Sequence, residues 1–175
     1  NNACAACQPG TTNAQGDDAS GADTACDATL CLANQYVSAN VCTACAAGTT
    51  NAAGDNASAA DTDCDATLCL ADQYVSNNNC AVCPAGTTNA GGDDASGANT
   101  TCVATLCAAN EYVSNNACAA CPAGTTNAGG DDASGAATGC DATLCAANEY
   151  VSNNVCSACQ PGSTNAGGDD ASGVD

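Results

Sequence analysis

The chain has 175 residues, of which 19 are acidic and none is Lys, Arg or His, so its formal net charge is −19. Without cations it lacks the groups that neutralise phosphates, which excludes nucleic acids and anionic membrane surfaces as partners. Phe, Trp and Met are absent and Tyr occurs only four times. So few large apolar side chains predict small units that depend on disulfides rather than on a large core.

The chain has enough cysteine to form the disulfides that such units need, since 18 of the 175 residues are Cys. This proportion is typical of disulfide scaffolds, which form in oxidising compartments, and it predicts an extracellular or cell-surface protein. The apolar runs are too short to span a bilayer, so we expect no transmembrane segment in this chain. We also expect the chain to be a segment of a longer protein.

The cysteines define a repeat. Cys4, Cys42, Cys80, Cys118 and Cys156 follow one another at a fixed period of 38 residues. A constant period of this length predicts a repeat array in which every unit contacts its neighbours in the same way, and hence an elongated rod or solenoid. The repeats are 4–41, 42–79, 80–117 and 118–155, with a partial copy at 156–175 and the end of a preceding copy at 1–3.

Each repeat contains three kinds of segment in the same order. A Gly-Thr-Thr-Asn phrase, as at 124–127, predicts a turn and then a short extended segment. Gly-Asp-Asp-Ala-Ser-Gly, as at 92–97, has the composition of a turn throughout. Tyr112-Val113-Ser114, followed by two asparagines, predicts one arm of a β-hairpin. Helical periodicity is absent. The predicted fold class is small disulfide-rich repeats with short β-hairpins and turns and little or no helix.

The largest apolar side chains at repeated positions are one Tyr and one Leu per repeat. We expect them to pack on the disulfides at the repeat junctions and give each repeat a miniature core. The residues concerned are Tyr36, Tyr74, Tyr112 and Tyr150, with Leu30, Leu68, Leu106 and Leu144.

Four cysteines per repeat allow three connectivities within one unit. We favour adjacent pairing, which would join each repeat to the next; interlocked pairing, first to third and second to fourth, stays open. Adjacent pairing leaves Cys4 and Cys159 without partners. Its predicted bridges are Cys7–Cys26, Cys31–Cys42, Cys45–Cys64, Cys69–Cys80, Cys83–Cys102, Cys107–Cys118, Cys121–Cys140 and Cys145–Cys156.

Two metal ions, Zn²⁺ and Ca²⁺, are candidates for binding to these repeats. The cysteine spacing superficially suits a four-thiolate zinc site, but the gap of four residues is atypical and no base offsets the charge, so we predict no bound metal. Clustered carboxylates suit Ca²⁺, and calcium remains a minor alternative to no cofactor. The ordinary interpretation of these Asp pairs is a solvated acidic turn. They are Asp17-Asp18, Asp93-Asp94, Asp131-Asp132 and Asp169-Asp170.

Catalysis is not expected. The chain has no His or Lys to act as a base, so its Ser and Thr hydroxyls have nothing to activate them. Its two glutamates, Glu111 and Glu149, occupy the repeat position that Gln35 and Gln73 fill elsewhere. We therefore predict that the protein is not an enzyme.

Hydroxyl and amide groups point instead to glycosylation. Asn56-Ala57-Ser58 and Asn99-Thr100-Thr101 match the N-glycosylation motif of extracellular chains. The threonine pairs are candidates for O-glycans, with plain strand and turn residues as the alternative interpretation. These pairs are Thr11 and Thr12, Thr49 and Thr50, Thr87 and Thr88, and Thr125 and Thr126.

The phrase Cys118-Ala-Ala-Cys121-Pro-Ala-Gly124-Thr-Thr-Asn127 resembles the repeats of ciliate surface (immobilisation) antigens. It is more loosely similar to the cysteine-rich modules of ephrin-type and growth-factor receptors. The first resemblance implies a cysteine-rich repeat protein held on the cell and ciliary membrane by a lipid anchor, which would lie outside this sequence. It implies no catalytic residues.

These observations predict an extracellular structural protein, a disulfide-stapled repeat rod that forms a filament or a cell-surface coat. Its expected partners are copies of itself and covalent glycans. The alternatives are a receptor-like extracellular binding module and an acidic, calcium-binding surface protein.

Overall fold

The computed structural model describes residues 3–173, which contain sixteen short β-strands and no helix. The predicted fold class is confirmed, because the strands form antiparallel pairs separated by turns and disulfides. In chain order the strands are β1 Thr11–Thr12, β2 Asp27–Ala28, β3 Gln35–Ser38, β4 Val41–Ala44, β5 Thr49–Thr50, β6 Asp65–Ala66, β7 Gln73–Ser76, β8 Asn79–Val82, β9 Thr87–Thr88, β10 Val103–Ala104, β11 Glu111–Ser114, β12 Ala117–Ala120, β13 Thr125–Thr126, β14 Asp141–Ala142, β15 Glu149–Ser152 and β16 Val155–Ala158.

Every sheet among these strands has two members. Four are hairpins of four-residue strands: β3 with β4, β7 with β8, β11 with β12, and β15 with β16. Four are ladders of two-residue strands: β1 with β2, β5 with β6, β9 with β10, and β13 with β14. The predicted hairpin is confirmed in the third repeat, where Tyr112 lies opposite Ala119 and Val113 opposite Cys118.

The hairpin turns follow from their asparagines. Asn115 and Asn116 both have positive φ, 52° and 58°, as the two central residues of a type I′ turn require. Asn adopts this left-handed region at low cost, because its short polar side chain can bond locally. The first hairpin places Ala39 there, at a φ of 49°, followed by Asn40 at 63°. The turn is thus retained even where one asparagine is replaced.

The short ladders hold the Thr pairs. Thr49 lies opposite Ala66 and Thr50 opposite Asp65, so the segment after the second cysteine pairs with the segment after the third. The loop between these two strands contains the Gly-Asp-Asn-Ala-Ser turn of residues 54–58. The predicted extended segment at each Thr pair is therefore confirmed.

From the second repeat onward, each such loop docks on the preceding repeat, beginning with the segment that leads into its hairpin. The N–H of Cys31 donates to the carbonyl of Asp55 at 2.8 Å, and the N–H of Ala57 donates to the carbonyl of Thr29 at 2.9 Å. The same antiparallel contact holds the loops of the second to the fifth repeat, as the bridges Leu30–Asn56, Leu68–Asp94, Leu106–Asp132 and Leu144–Asp170. Neighbouring repeats are thus joined by backbone hydrogen bonds.

The core at each junction is small and differs from the predicted one. Cys69, Val75 and Ala95 are buried together, with Cys80 packed against them. Cys107, Val113 and Ala133 form the same cluster, with Cys118. The side chain of Val75 has no exposed surface. The core of a junction is therefore a disulfide, one Val and one Ala.

The prediction that Leu fills this core is wrong. The side chains of Leu30, Leu68, Leu106 and Leu144 are 59%, 60%, 64% and 63% exposed. Successive residues of an extended segment point to opposite sides, and the next residue, such as Cys31, points inward. The same alternation buries Val and leaves Tyr36, Tyr74 and Tyr112 half-buried, while Tyr150 is exposed.

The chain divides into two compact units, one of residues 1–81 and 91–100 and one of residues 82–90 and 101–175. The first contains four disulfides, Cys7–Cys26 through Cys69–Cys80, and the second contains the other four. Segment 91–100 belongs to the first unit because its Ala95 is buried against Val75.

Candidate functional site

The structure contains eight disulfides, and all of them join adjacent cysteines rather than interlocked ones. Four join the fourth cysteine of one repeat to the first cysteine of the next, with Cα–Cα distances of 5.3 Å. We call these the junction disulfides; they are Cys31–Cys42, Cys69–Cys80, Cys107–Cys118 and Cys145–Cys156. Each one crosses a repeat boundary, so it adds a covalent link between successive repeats.

The other four disulfides lie within repeats and close the loop that carries the acidic turn. Their Cα–Cα distances are 5.8 Å and their sequence separation is 19, against 11 at the junctions. They are Cys7–Cys26, Cys45–Cys64, Cys83–Cys102 and Cys121–Cys140. Cys4 and Cys159 have free thiols.

In the second, third and fourth repeats, a polar network fastens the loop to the preceding hairpin. The N–H of Val37 donates to Thr62 Oγ1 at 2.9 Å, and Thr62 Oγ1 donates to Asp55 Oδ2 at 2.6 Å. Asn51 Nδ2 donates to the same carboxylate at 2.7 Å and to the carbonyl of Gln35 at 2.9 Å. The Thr62 hydroxyl, and secondarily Asn51, lowers the pKa of Asp55 below its usual value. The carboxylate therefore serves as an internal acceptor in the contact between the hairpin and the docked loop. We call this contact, together with the junction disulfide and the buried Val and Ala beside it, the joint.

The hairpin turn also contacts this loop. Asn40 Nδ2 donates to the carbonyl of Ala57 at 2.8 Å, and Asn78, Asn116 and Asn154 do the same to Ala95, Ala133 and Ala171. On the other side, the backbone of Gly10 approaches the peptide of Ala57 so closely that a Cβ there would overlap it. Only Gly fits at this position, which explains the Gly before each Thr pair.

The second Asp of each acidic pair has a local role. Asp94 Oδ1 accepts hydrogen bonds from the N–H of Ser96 at 2.8 Å and from its hydroxyl at 2.7 Å. The hydroxyl first, and then the backbone N–H, lowers the pKa of Asp94. Asp18, Asp132 and Asp170 have lowered pKa values for the same reason. Within residues 3–173, no three His, Cys, Asp or Glu side chains cluster in a way that would hold a metal ion.

The two glutamates also act as acceptors for their own backbone. Glu111 Oε2 accepts from the N–H of Ala108 at 2.9 Å, and Glu149 Oε2 accepts from Ala146 at 3.0 Å. Gln35 Oε1 accepts from Leu32 at 3.0 Å in the same position. Glu and Gln are thus interchangeable here, because only the acceptor oxygen is used.

The two motif asparagines lie on the exposed surface of docked loops. Asn56 Oδ1 accepts from Ser58, at 2.9 Å from its N–H and 2.7 Å from its hydroxyl. Asn99 Oδ1 accepts from the N–H of Asn77 at 2.9 Å. Neither Nδ2 donates a hydrogen bond to any group of the described chain. In both residues the fold uses the oxygen and leaves the nitrogen at the surface.

The threonines of each pair have different environments. The first hydroxyl donates to the carbonyl three residues earlier, at 2.7–2.9 Å, in Thr11, Thr49, Thr87 and Thr125. The second threonine of each pair is exposed. The predicted O-glycan sites therefore divide into two sets: first threonines, whose hydroxyls bond a turn carbonyl, and second threonines, which are exposed to solvent.

Sequence reasoning missed three positions of the joint: the buried Val, the Ala of the acidic loop and the Thr that bonds the Val. A signal was present, since Val37, Val75 and Val113 recur without substitution, as do Ala57, Ala95 and Ala133. Their small size concealed them, because they bury little area each.

Comparison with protein-family models, with curated proteins and with solved structures gives no match. Residues 3–173 include no helix with the length and apolar character needed to cross a membrane. Eight disulfides in repeated hairpin modules are the pattern of an extracellular, disulfide-stabilised protein.

Proposed function

We propose that the protein is a non-catalytic structural material of the cell exterior, a glycosylated repeat array that builds a filament or a surface coat. The resemblance to ciliate surface antigens agrees with this role. The observation that supports it best is the joint: the same disulfide, Val–Thr–Asp network and buried Ala recur at three successive repeat boundaries. A chain linked covalently at each joint resists being pulled apart or unfolded one repeat at a time.

Glycans at Asn56 and Asn99 are part of this proposal. N-linked sugar attaches to the side-chain nitrogen, which the fold leaves unused at both residues. Other repeats place Asp94 and Asp132 in the position of Asn56, and Asp61 in that of Asn99. Asp61 Oδ1 accepts from the N–H of Ala39 at 3.0 Å, as Asn99 does from Asn77. Asn99 and Asp61 thus use one side-chain oxygen in the same way, although the fourth repeat has Ala137 there, and a substituted nitrogen leaves that oxygen in place.

The O-glycans belong on the second threonine of each pair. The hydroxyl of Thr49 is committed to the carbonyl of Ala46, whereas Thr12, Thr50 and Thr126 are exposed. Sugar on the exposed set would leave the turn hydrogen bond intact.

Electron microscopy of native material, labelled with antibodies against the purified chain, tests the structural role. We expect label along a filament or over a surface layer, and loss of the ordered layer when disulfides are reduced. Label confined to soluble, isolated molecules in the medium would overturn the proposal.

Enzymatic removal of N-glycans tests the attachment sites, since the glycosidase converts the linked Asn to Asp. Peptide mass spectrometry should find this conversion at Asn56 and Asn99 and not at Asn51 or Asn89, which lack the motif. The deglycosylated protein should keep its fold, because Asp is the residue that other repeats use there. Unmodified Asn at both positions in native protein would overturn this part.

A further inference from the structure

In the first three hairpins, the described chain covers one outer edge and leaves the other open. Along β3 the outward N–H of Val37 donates to Thr62 Oγ1, and its carbonyl accepts from the N–H of Thr62 at 3.0 Å. The outward carbonyl of Gln35 accepts from Asn51, and its N–H donates to Leu32. The docked loop therefore satisfies this edge, and the contacts of Val37 recur at Val75 along β7 and at Val113 along β11.

The opposite edge, along β4, is open. The two-residue turn makes Ser38 and Val41 a hydrogen-bonded pair, so the backbone groups of Val41 and Thr43 face β3 and those of Cys42 and Ala44 face outward. Within residues 3–173 no group bonds the outward N–H or carbonyl of Cys42 or Ala44. We call this surface, with its equivalents along β8, β12 and β16, the open edge.

Apart from the shortness of its four-residue strands, the open edge carries none of the features that keep edge strands apart. Its strands read Val-Cys-Thr-Ala, Asn-Cys-Ala-Val, Ala-Cys-Ala-Ala and Val-Cys-Ser-Ala, with no charge and no Pro. Natural proteins usually protect an exposed edge with charged side chains, Pro or a covering segment. An unpaired row of N–H and C=O groups is otherwise a template for another strand.

The net charge of the chain indicates which strand pairs with the open edge. A chain with 19 acids and no base repels its own copies, so two copies can approach only where acids are absent. The open edge is acid-free and self-complementary, because two antiparallel copies of it offer matching donors and acceptors. It also occurs once per repeat, in β4, β8, β12 and β16, so a second copy offers the same edge at the same positions of its own repeats. Another copy of this chain meets all three conditions.

We propose that the open edges pair antiparallel with those of a second copy, through the backbone of Cys42 and Ala44 and their equivalents, and so form the lateral contact of the assembly. This inference rests on the proposed structural role and names its contact surface. Added salt strengthens the pairing, because it screens the repulsion between acidic surfaces.

The test removes the outward N–H without touching the inner ladder. Proline replaces the last residue of each open-edge strand, in the variant Ala44→Pro, Val82→Pro, Ala120→Pro and Ala158→Pro. The N–H lost at each position has no partner among residues 3–173, and the residue before it is already extended, as Pro requires. The matched control places Ser at the same four positions and keeps the N–H. Both carry Cys4→Ser and Cys159→Ser, so that stray disulfides between copies do not form.

Sedimentation velocity over a range of salt and protein concentrations gives the readout, with eight disulfides per chain verified by mass spectrometry. We expect the parent and the Ser variant to associate increasingly with salt, and the apparent Kd of the Pro variant to rise about tenfold or more. Amide exchange should show that the N–H groups of Cys42 and Ala44 become protected only in the associated state, whereas that of Thr43 is protected throughout.

Three results would overturn the inference, and they differ in what they leave standing. Equal association of the Pro and Ser variants removes the open edge as the contact but leaves assembly by another surface. A parent chain that stays monomeric at every salt concentration removes self-assembly itself. A monomer that instead captures an unrelated, neutral extended peptide at Ala44 keeps the edge but replaces its occupant.

Discussion

The acidic loops of the first and third repeats share the sequence Gly-Asp-Asp-Ala-Ser-Gly and the same local bonds, but only the third has a buried Ala. In both, the Ser two residues after the second Asp donates its N–H and its hydroxyl to that carboxylate. Ala95 of the third repeat is 1% exposed, whereas Ala19 of the first lies open to solvent. The difference is the hairpin of a preceding repeat. Residues 69–80 cover Ala95 in this way, whereas no described residue covers Ala19.

This comparison separates two sources of order. The turn forms from its own Asp and Ser, because an Asx turn needs no other part of the chain. Burial, the Val–Thr–Asp network and the close glycine contact come from the neighbouring repeat. Variants that affect the joint should therefore lower the local stability at Ala95 and leave that at Ala19 unchanged.

The largest effect should follow removal of a junction disulfide. Cys69→Ala with Cys80→Ala should lower the free energy of opening at the Ala95 amide by about 3 kcal/mol or more, with no change at Ser20. Amide exchange measures both. The control is Cys7→Ala with Cys26→Ala, which opens a longer loop but removes less buried sulfur. If the control loses more stability than the junction variant, packing around Cys69 contributes less than chain entropy.

The next effect concerns two glycines with the same backbone. Gly48 has a φ of 80° and a Cβ there would overlap the carbonyl of Ala95, whereas Gly162 has a φ of 86° and open space beside it. Gly162→Ala should cost about 1–2 kcal/mol for the left-handed conformation alone. Gly48→Ala should cost about 1–3 kcal/mol more, because the loop must shift. Equal losses of unfolding free energy, measured by denaturant unfolding, would show that the docked loop shifts without a measurable cost.

A smaller effect is expected at the threonine of the network. Thr62→Val keeps the shape but leaves the N–H of Val37 and the carboxylate of Asp55 without their shared partner, at a cost of about 1–3 kcal/mol. Among the described residues Thr24 bonds only Asp17, at 2.8 Å, and contacts no preceding hairpin. Thr24→Val should stay within about 0.5 kcal/mol of the parent. Thermal unfolding of the two variants measures the difference, and similar shifts would refute the role of the network.

The smallest effect is a pH dependence of the turns. The folded-state pKa of Asp132 lies below the unfolded value of 3.8, because Ser134 donates its hydroxyl and N–H to the charged form. Its contribution to stability is therefore fully present above pH 3.8 and is lost as the pH falls through the lower folded pKa. Asn56 accepts the same two bonds from Ser58 without titrating. The amide NMR signal of Ser134 should shift below pH 3.8 as Asp132 titrates, and that of Ser58 should not follow the same course.

The sequence was sufficient for the repeat, the class of fold, the hairpin at Tyr112 and the turn character of the acidic loops, because cysteine spacing and Asn, Gly and Asp positions act locally. It was insufficient for the core. Leu68 looks like a core residue by size, yet its neighbour Cys69 takes the inward direction, and Ala95 looks like a loop residue until a hairpin covers it. Burial depends on contacts between residues 20–26 positions apart, which local patterns do not encode.

Those separations have a consequence for inheritance. The contacts that define a joint span fixed distances along the chain: 11 residues for the junction disulfide, 17 for Asn78 with Ala95, and 25 for Val75 with Thr100. Unequal recombination that adds or removes a whole number of 38-residue units preserves all three, so alleles of different length should fold equally well. Insertion of a single codon between Val75 and Thr100 breaks the registry. Selection on such a gene should therefore tolerate variation in copy number and purge variation in unit length.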